Sequence, residues 1–192
     1  VHGVIGFDRH RLTQTFFGAV AEKPSGYALY NWEGKRSMRF DRVNIFEPWV
    51  TVKQNRSWHL FNPRLMKTGS KAYDTIRAEG PFLVGRAGDS VYVHFTEEHI
   101  GTFFKPGPIS FIPGMDSTSF LVVNDNAQGK TVFDRRGRKL FSGSFDAIEY
   151  AGRGIFAVTK RDKKGLVSIV GTALLPAEYD AIGSVNQQVL SL

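Results

Sequence analysis

Lys163–Gly183, KKGLVSIVGTALLPAEYDAIG, is the stretch whose reading decides the fold. Leu166 to Val170 reads as a strand, Gly171-Thr172 as a tight turn, and Ala173 to Leu175 as a return strand. Pro176-Ala177-Glu178 then leads into Tyr179-Asp180-Ala181-Ile182. That closing element, aromatic–Asp–x–Ile/Val, occurs three more times: Phe40-Asp41-Arg42-Val43, Tyr73-Asp74-Thr75-Ile76 and Phe145-Asp146-Ala147-Ile148.

The aspartates supply a spacing. Asp41 to Asp74 is 33 residues, Asp74 to Asp146 is 72, and Asp146 to Asp180 is 34. A step near 34, with one interval holding two repeats and an insertion, is the mark of a repeat protein. No segment sustains the i, i+3, i+4, i+7 apolar pattern over three turns, so helical repeats of similar length are excluded. Residues i and i+3 of a regular strand face opposite sides, yet both are bulky and apolar in this element. The chain must therefore turn or bulge at each Asp, with the carboxylate accepting a bond from the backbone two residues on. Asp41, Asp74, Asp146 and Asp180 are read as structural turn residues.

Outward from this stretch, the chain reads as an all-β array of short antiparallel three-strand repeats, propeller-like or an open spiral. The repeats fall at about 1–24 (partial), 25–54, 55–86, 87–126, 127–160 and 161–192, one β-repeat domain in all. Strands are expected at Tyr27–Tyr30, Ser37–Phe40, Trp49–Lys53, Trp58–Phe61, Phe82–Val84, Val91–Phe95, Phe120–Val123, Lys130–Phe133, Lys139–Phe141 and Ile155–Val158. Composition agrees. With 16 Phe, 6 Tyr and 3 Trp against 20 Gly and 8 Pro, the chain favours pleated surfaces punctuated by turns. An apolar fraction of 42% and a charged fraction of 22% are ordinary for a globular protein. No apolar run is long enough to span a bilayer as a helix. The absence of cysteine rules out disulfides and thiolate metal sites, and fits a reducing compartment or a periplasm alike. Val-His-Gly-Val-Ile-Gly at the start carries no Met and no signal pattern, as expected of a mature form or an excised piece.

Four segments resemble the WG-repeat (KWG-repeat) family of bacterial proteins. They are Lys164-Gly165-Leu166-Val167, Leu175–Ile182, Asp134-Arg135-Arg136-Gly137-Arg138-Lys139, and Gly152–Val158. Lys164 and Ser25 stand where the family places a Trp before Gly. The match is good over 127–183 and fair over 25–86. The resemblance implies a β-repeat binding or scaffolding module of envelope or secreted proteins, with no defined activity.

No catalytic, cofactor or metal constellation stands out. His94-Phe95-Thr96-Glu97-Glu98-His99 has one residue too many for the inverted zinc motif and follows a strand, so it reads as a charged surface loop. Asn55-Arg56-Ser57 fits a glycan acceptor triplet of the kind that arises by chance. The basic turns are the functional lead: Lys35-Arg36, Arg135-Arg136-Gly137-Arg138-Lys139 and Lys160-Arg161-Asp162-Lys163-Lys164. Equivalent turns of an array gather on one face, which predicts a cationic rim. Trp32 and Trp58 are candidate stacking partners, and Trp49 is read as core. The net charge of +7 raises the prospect of an acidic partner.

The expected function is a non-enzymatic protein-interaction or scaffold module, one subunit or domain of a bacterial cell-envelope assembly. Its setting is the periplasm or outer surface, with the cytoplasm also open. Its partners are other protein subunits. The alternative is a binder of an anionic polymer, glycan ahead of nucleic acid, through the basic tips. A hydrolase would need convergent carboxylates in a central pocket, which the spacing does not supply.

Overall fold

The computed structural model describes residues 11–183 apart from 16, 35, 63, 69–70, 96–99, 115–117 and 126–128. These residues form nineteen strands in five antiparallel sheets with no helix. Within each sheet the strands follow chain order, so every connection is a short hairpin. The chain divides into two compact units, Val1–Ala78 with Leu83–Tyr92, and Glu79–Phe82 with Val93–Leu192.

In the first unit, β1 (Arg11–Thr15), β2 (Gly18–Lys23), β3 (Gly26–Asn31) and β4 (Arg36–Phe40) make one sheet. A second follows from β5 (Arg42–Phe46), β6 (Trp49–Gln54) and β7 (Ser57–Phe61). Among the described residues its fourth position carries isolated bridges, Phe61 to Lys67 and Trp58 to Tyr73. The third sheet comprises β8 (Thr75–Glu79), β9 (Phe82–Ala87), β10 (Ser90–His94) and β11 (Ile100–Phe104). In the second unit, β12 (Ile109–Pro113), β13 (Ser119–Asp125), β14 (Gly129–Phe133) and β15 (Lys139–Gly143) form the fourth sheet. The fifth is β16 (Ala147–Gly152), β17 (Ile155–Lys160), β18 (Lys163–Ser168) and β19 (Ala173–Tyr179).

The expected three-strand repeat is thus corrected to four strands in four of the five sheets. Sequence reading passed over β11 and β12 and also β5, β8 and β16, the last three each starting just after an aromatic–Asp pair. In those three, mostly exposed or half-exposed side chains leave little apolar alternation to read. Three of the five sheets begin just after these aspartates.

One turn recurs four times and explains why the later hairpins close where they do. In Asn31-Trp32-Glu33-Gly34, Asn62-Pro63-Arg64-Leu65, Asp134-Arg135-Arg136-Gly137 and Ser168-Ile169-Val170-Gly171, the fourth N–H donates to the first C=O at 2.8–3.0 Å. The fourth residue is left-handed each time, with φ of 77°, 58°, 80° and 86°. Glycine meets that demand at three of them. The first side chain caps the turn. Asn62 Oδ1 accepts from the N–H of Arg64 and Met66, and Asp134 Oδ1 from Arg136 and Arg138. The turn of the decisive stretch is therefore Ile169-Val170-Gly171, and Val170 is an exposed tip, not a strand residue. Pro176 lies inside β19, an outermost strand where its missing N–H is tolerated. The ladder shifts there: Lys164 pairs with Tyr179 but Leu166 with Leu175.

Each recurring aspartate sits at a bend of the chain, and the bonds made there reach farther than two residues. The Asp41 N–H donates to Lys53 O, Asp74 to Arg86 O and Asp146 to Thr159 O, at 2.7–2.8 Å. Asp74 Oδ2 accepts from Gly88 N at 2.8 Å and Asp146 Oδ2 from Arg161 N at 2.6 Å. Each of these two carboxylates fastens the entry of a sheet to the tip of that sheet's second hairpin. Lys130 Nζ adds bonds to the carbonyls of Phe145 and Asp146. Asp180 instead pairs with Lys163 Nζ at 2.5 Å.

Apolar alternation builds the cores. In the first unit, Phe17, Leu29, Phe40, Val50 and Val52 form one cluster and Trp49, Leu60, Tyr73, Ile76 and Leu83 another. Trp49 is core, as its strand position implied. Gly85 sits against the Tyr73 ring, where a Cβ would stand 2.5 Å from a ring carbon. In the second unit, Phe156 is fully buried and its ring centroid lies 4.9–5.2 Å from those of Phe120, Phe141 and Tyr150. The motif aromatics do not all pack inward. Phe40 and Tyr73 are buried, Phe145 is partly so, and Tyr179 is 44% exposed.

Candidate functional site

Antiparallel strands in chain order send alternate turns to opposite ends of a sheet. In the fifth sheet, Arg153-Gly154 and Ile169–Gly171 turn at one end, and Arg161-Asp162 at the other. In the fourth, the Asp134–Arg138 hairpin shares its end with Thr118 and Ser119. Turns of both sheets meet in one open groove of ≈ 700 Å³, lined by Thr118, Ser119, Phe120, Asp134, Arg135, Arg136, Arg138, Tyr150, Gly154 and Ile169.

The groove has a charged wall and an apolar floor. Arg135, Arg136 and Arg138 are exposed. Asp134 is spent on its own hairpin: Oδ1 caps the turn, and Oδ2 accepts from Arg138 Nε at 3.2 Å. On the floor, the Tyr150 hydroxyl accepts from Gly154 N at 3.0 Å, and the ring rests 4.9 Å from Phe120. That bond fixes the tyrosine between floor and turn.

The single cationic rim is corrected. Arg135, Arg136 and Arg138 line the groove and Lys139 is exposed beside it, whereas Lys160 and Arg161 lie at the opposite end of the fifth sheet. Six strand residues separate those ends, roughly 17 Å at about 3.3 Å per residue. The reason is the fourth strand: it places the two basic hairpins on turns of opposite parity. Lys35 and the Arg36 side chain lie outside the described residues. Trp32 is 65% exposed on the β3–β4 turn. Trp58 is half-buried, with Lys53 Nζ 5.9 Å from its ring centroid.

The reading of His94 as part of a surface loop is also corrected. It ends β10 with no exposed surface, and burial holds its pKa down at about 4. Thr96 to His99 lie outside the described residues. Burial likewise pushes the Tyr73 hydroxyl up to about 12, with Tyr92 adding to the shift. Among the described residues no three His, Asp or Glu side chains gather as a metal site, and no helix is long and apolar enough to cross a membrane.

Sequence reading found the arginines but not Thr118, Tyr150 or Ile169. Thr118 and Ile169 lie on separate turns and Tyr150 on β16, with no shared motif, and only the four-strand topology brings them together.

The sequence matches no protein-family model and no curated protein. Among solved structures it is similar to Hsv2 of Kluyveromyces lactis, with 9% identity and a TM-score of 0.35 over 79% of this chain and 57% of that one. It is similar also to the WD40 domain of SCAP from fission yeast, with 7% identity and a TM-score of 0.34 over 86% of this chain and 54% of that one. A third likeness is to virginiamycin B lyase from Staphylococcus aureus, with 14% identity and a TM-score of 0.29 over 84% of this chain and 67% of that one. The chain spans just over half the length of the first two.

Proposed function

We propose that this chain is a non-enzymatic protein-interaction module of the WG-repeat kind, its sheets succeeding one another in a propeller-like or open-spiral array. In this reading it serves as a subunit or domain of a bacterial cell-envelope assembly. The observation that carries the reading is the apolar character of the last hairpin. Val170 is 76% exposed at its tip, and Leu174 and Tyr179 are 51% and 44% exposed on the outermost strand β19. Among the described residues β19 has a neighbouring strand on one side only, and apolar side chains beside such an edge favour a protein partner over water.

The test is capture of partners from the native source at low and high salt, with wild type and a Val170→Asp/Leu174→Asp variant. A stoichiometric protein retained at high salt by wild type and lost by the variant supports the reading. Equal retention by both, or no stoichiometric protein at all, refutes it.

A further inference from the structure

We propose that the groove beside the Arg135–Arg138 hairpin recognises a short acidic segment of a protein partner, one carrying a bulky apolar side chain between its carboxylates. Three arginines line the groove beside a single carboxylate, Asp134, which the hairpin already uses. Arg135 and Arg136 line the groove, and among the described residues neither has an ion-pair partner. A planar guanidinium matches a carboxylate in two parallel hydrogen bonds, which selects for acidic side chains.

The floor selects the second feature. Tyr150 and Ile169 offer half-buried apolar surface above the buried Phe120, and the Tyr150–Gly154 bond together with the ring contacts to Phe120 and Phe156 holds the tyrosine in place before anything binds. A preformed floor lowers the ordering cost of binding. A volume of ≈ 700 Å³ suits a few residues of an extended segment.

A phosphate polymer fits less well. It needs a continuous cationic track, and the other basic hairpin, at Lys160-Arg161, lies at the far end of the sheet. Base stacking needs an open ring face, and Phe120 is buried between Tyr150 and Phe156. This inference goes beyond the β19 reading and does not depend on it: its test uses a defined probe and needs no native partner.

The experiment is fluorescence anisotropy of the full chain with a labelled Glu-Asp-Phe-Asp-Glu peptide. Beside it stand the same peptide with its acids as amides, the same with Ala for Phe, and an oligothymidylate. The acidic peptide should bind. Amidation, or the Arg135→Ala/Arg136→Ala variant, should weaken it at least about tenfold, as loss of charge-assisted hydrogen bonds does. Replacing the peptide Phe should also weaken it. A Lys160→Ala/Lys164→Ala variant, matched in charge, should leave affinity within about twofold. Both arginines are exposed and the hairpin bond at position 136 comes from the backbone, so the fold survives these changes. The proposal is overturned by an acidic peptide that does not bind, or by equal losses in the two double variants. Tighter, Arg135/Arg136-dependent binding of the oligothymidylate would overturn it too, in favour of a phosphate polymer.

Discussion

Replacing Asp146 by Ala tests how far one side chain fastens a sheet to its own entry. The carboxylate accepts from the Arg161 amide at 2.6 Å, and Arg161 and Asp162 form a left-handed turn with φ of 50° and 62°. Non-glycine residues resist that conformation, so the bond helps hold the turn. Hydrogen bonds to charged groups contribute about 1.5–3 kcal/mol, and this one belongs at the lower end because Asp146 is exposed and water can replace it. The Asp146 N–H bond to Thr159 O survives the substitution. The expected loss is about 1.5 kcal/mol, a fall in urea midpoint of about 0.6 M for an m-value of about 2.5 kcal/mol per M. Asp146→Asn keeps an acceptor without the charge and should lose roughly half as much. Amide exchange reports the same event locally: the Arg161 N–H should exchange about tenfold faster in the Ala variant. Glu149→Ala, an exposed carboxylate on β16, is the control, expected to stay within about 0.5 kcal/mol of wild type. An Asp146→Ala variant no less stable than that control, with Arg161 exchange unchanged, would refute the fastening argument.

Two further substitutions probe the interior. Gly85→Ala should destabilise by about 1–3 kcal/mol, because its Cβ would meet the ring of a Tyr73 that has nowhere to move; thermal unfolding reads this, and a neutral result would mean that the ring yields. His94, held at a pKa of about 4 by burial against the ordinary 6.5, should make stability pH-dependent. The unfolded chain takes up this proton below pH 6.5 while the folded chain refuses it until about pH 4. Stability is thus full above pH 6.5 and falls as pH drops towards 4, by up to roughly 1.4 kcal/mol per pH unit. Urea midpoints between about pH 7 and pH 4.5 should show this slope in wild type and a shallower one in His94→Leu; equal slopes would assign it to other groups.

How much could be read beforehand depended on whether a residue's role was local. The Asp134–Gly137 turn was legible because the capping side chain, the left-handed glycine and the flanking strands are all within a few residues. Trp49 was legible because a β-rich run surrounds it. The strands β5, β8 and β16 were not, because a strand with one open edge needs few apolar side chains. His94 was misread because residues that follow it in sequence are charged, while its burial depends on what the fold packs over it. Tyr179 carries the same motif as Tyr73, yet one is exposed and the other buried. A local pattern specifies a turn, not what lies over it. The groove was the least legible, since its wall and floor come from turns and strand ends of two different sheets.

The strict succession of strands has a kinetic meaning. Every pairing within a sheet joins neighbours in the chain, so each closure spans only a short loop and its entropic cost is small. All-β proteins whose strands cross over between distant positions fold slowly because long loops must close before contacts repay them. Here each sheet can assemble from its own contiguous stretch of chain, and the Asp74 and Asp146 bonds stay within one sheet's span as well. Such a chain should fold quickly for its class, one meander at a time, and a sheet emerging during synthesis need not wait for the strands that follow it.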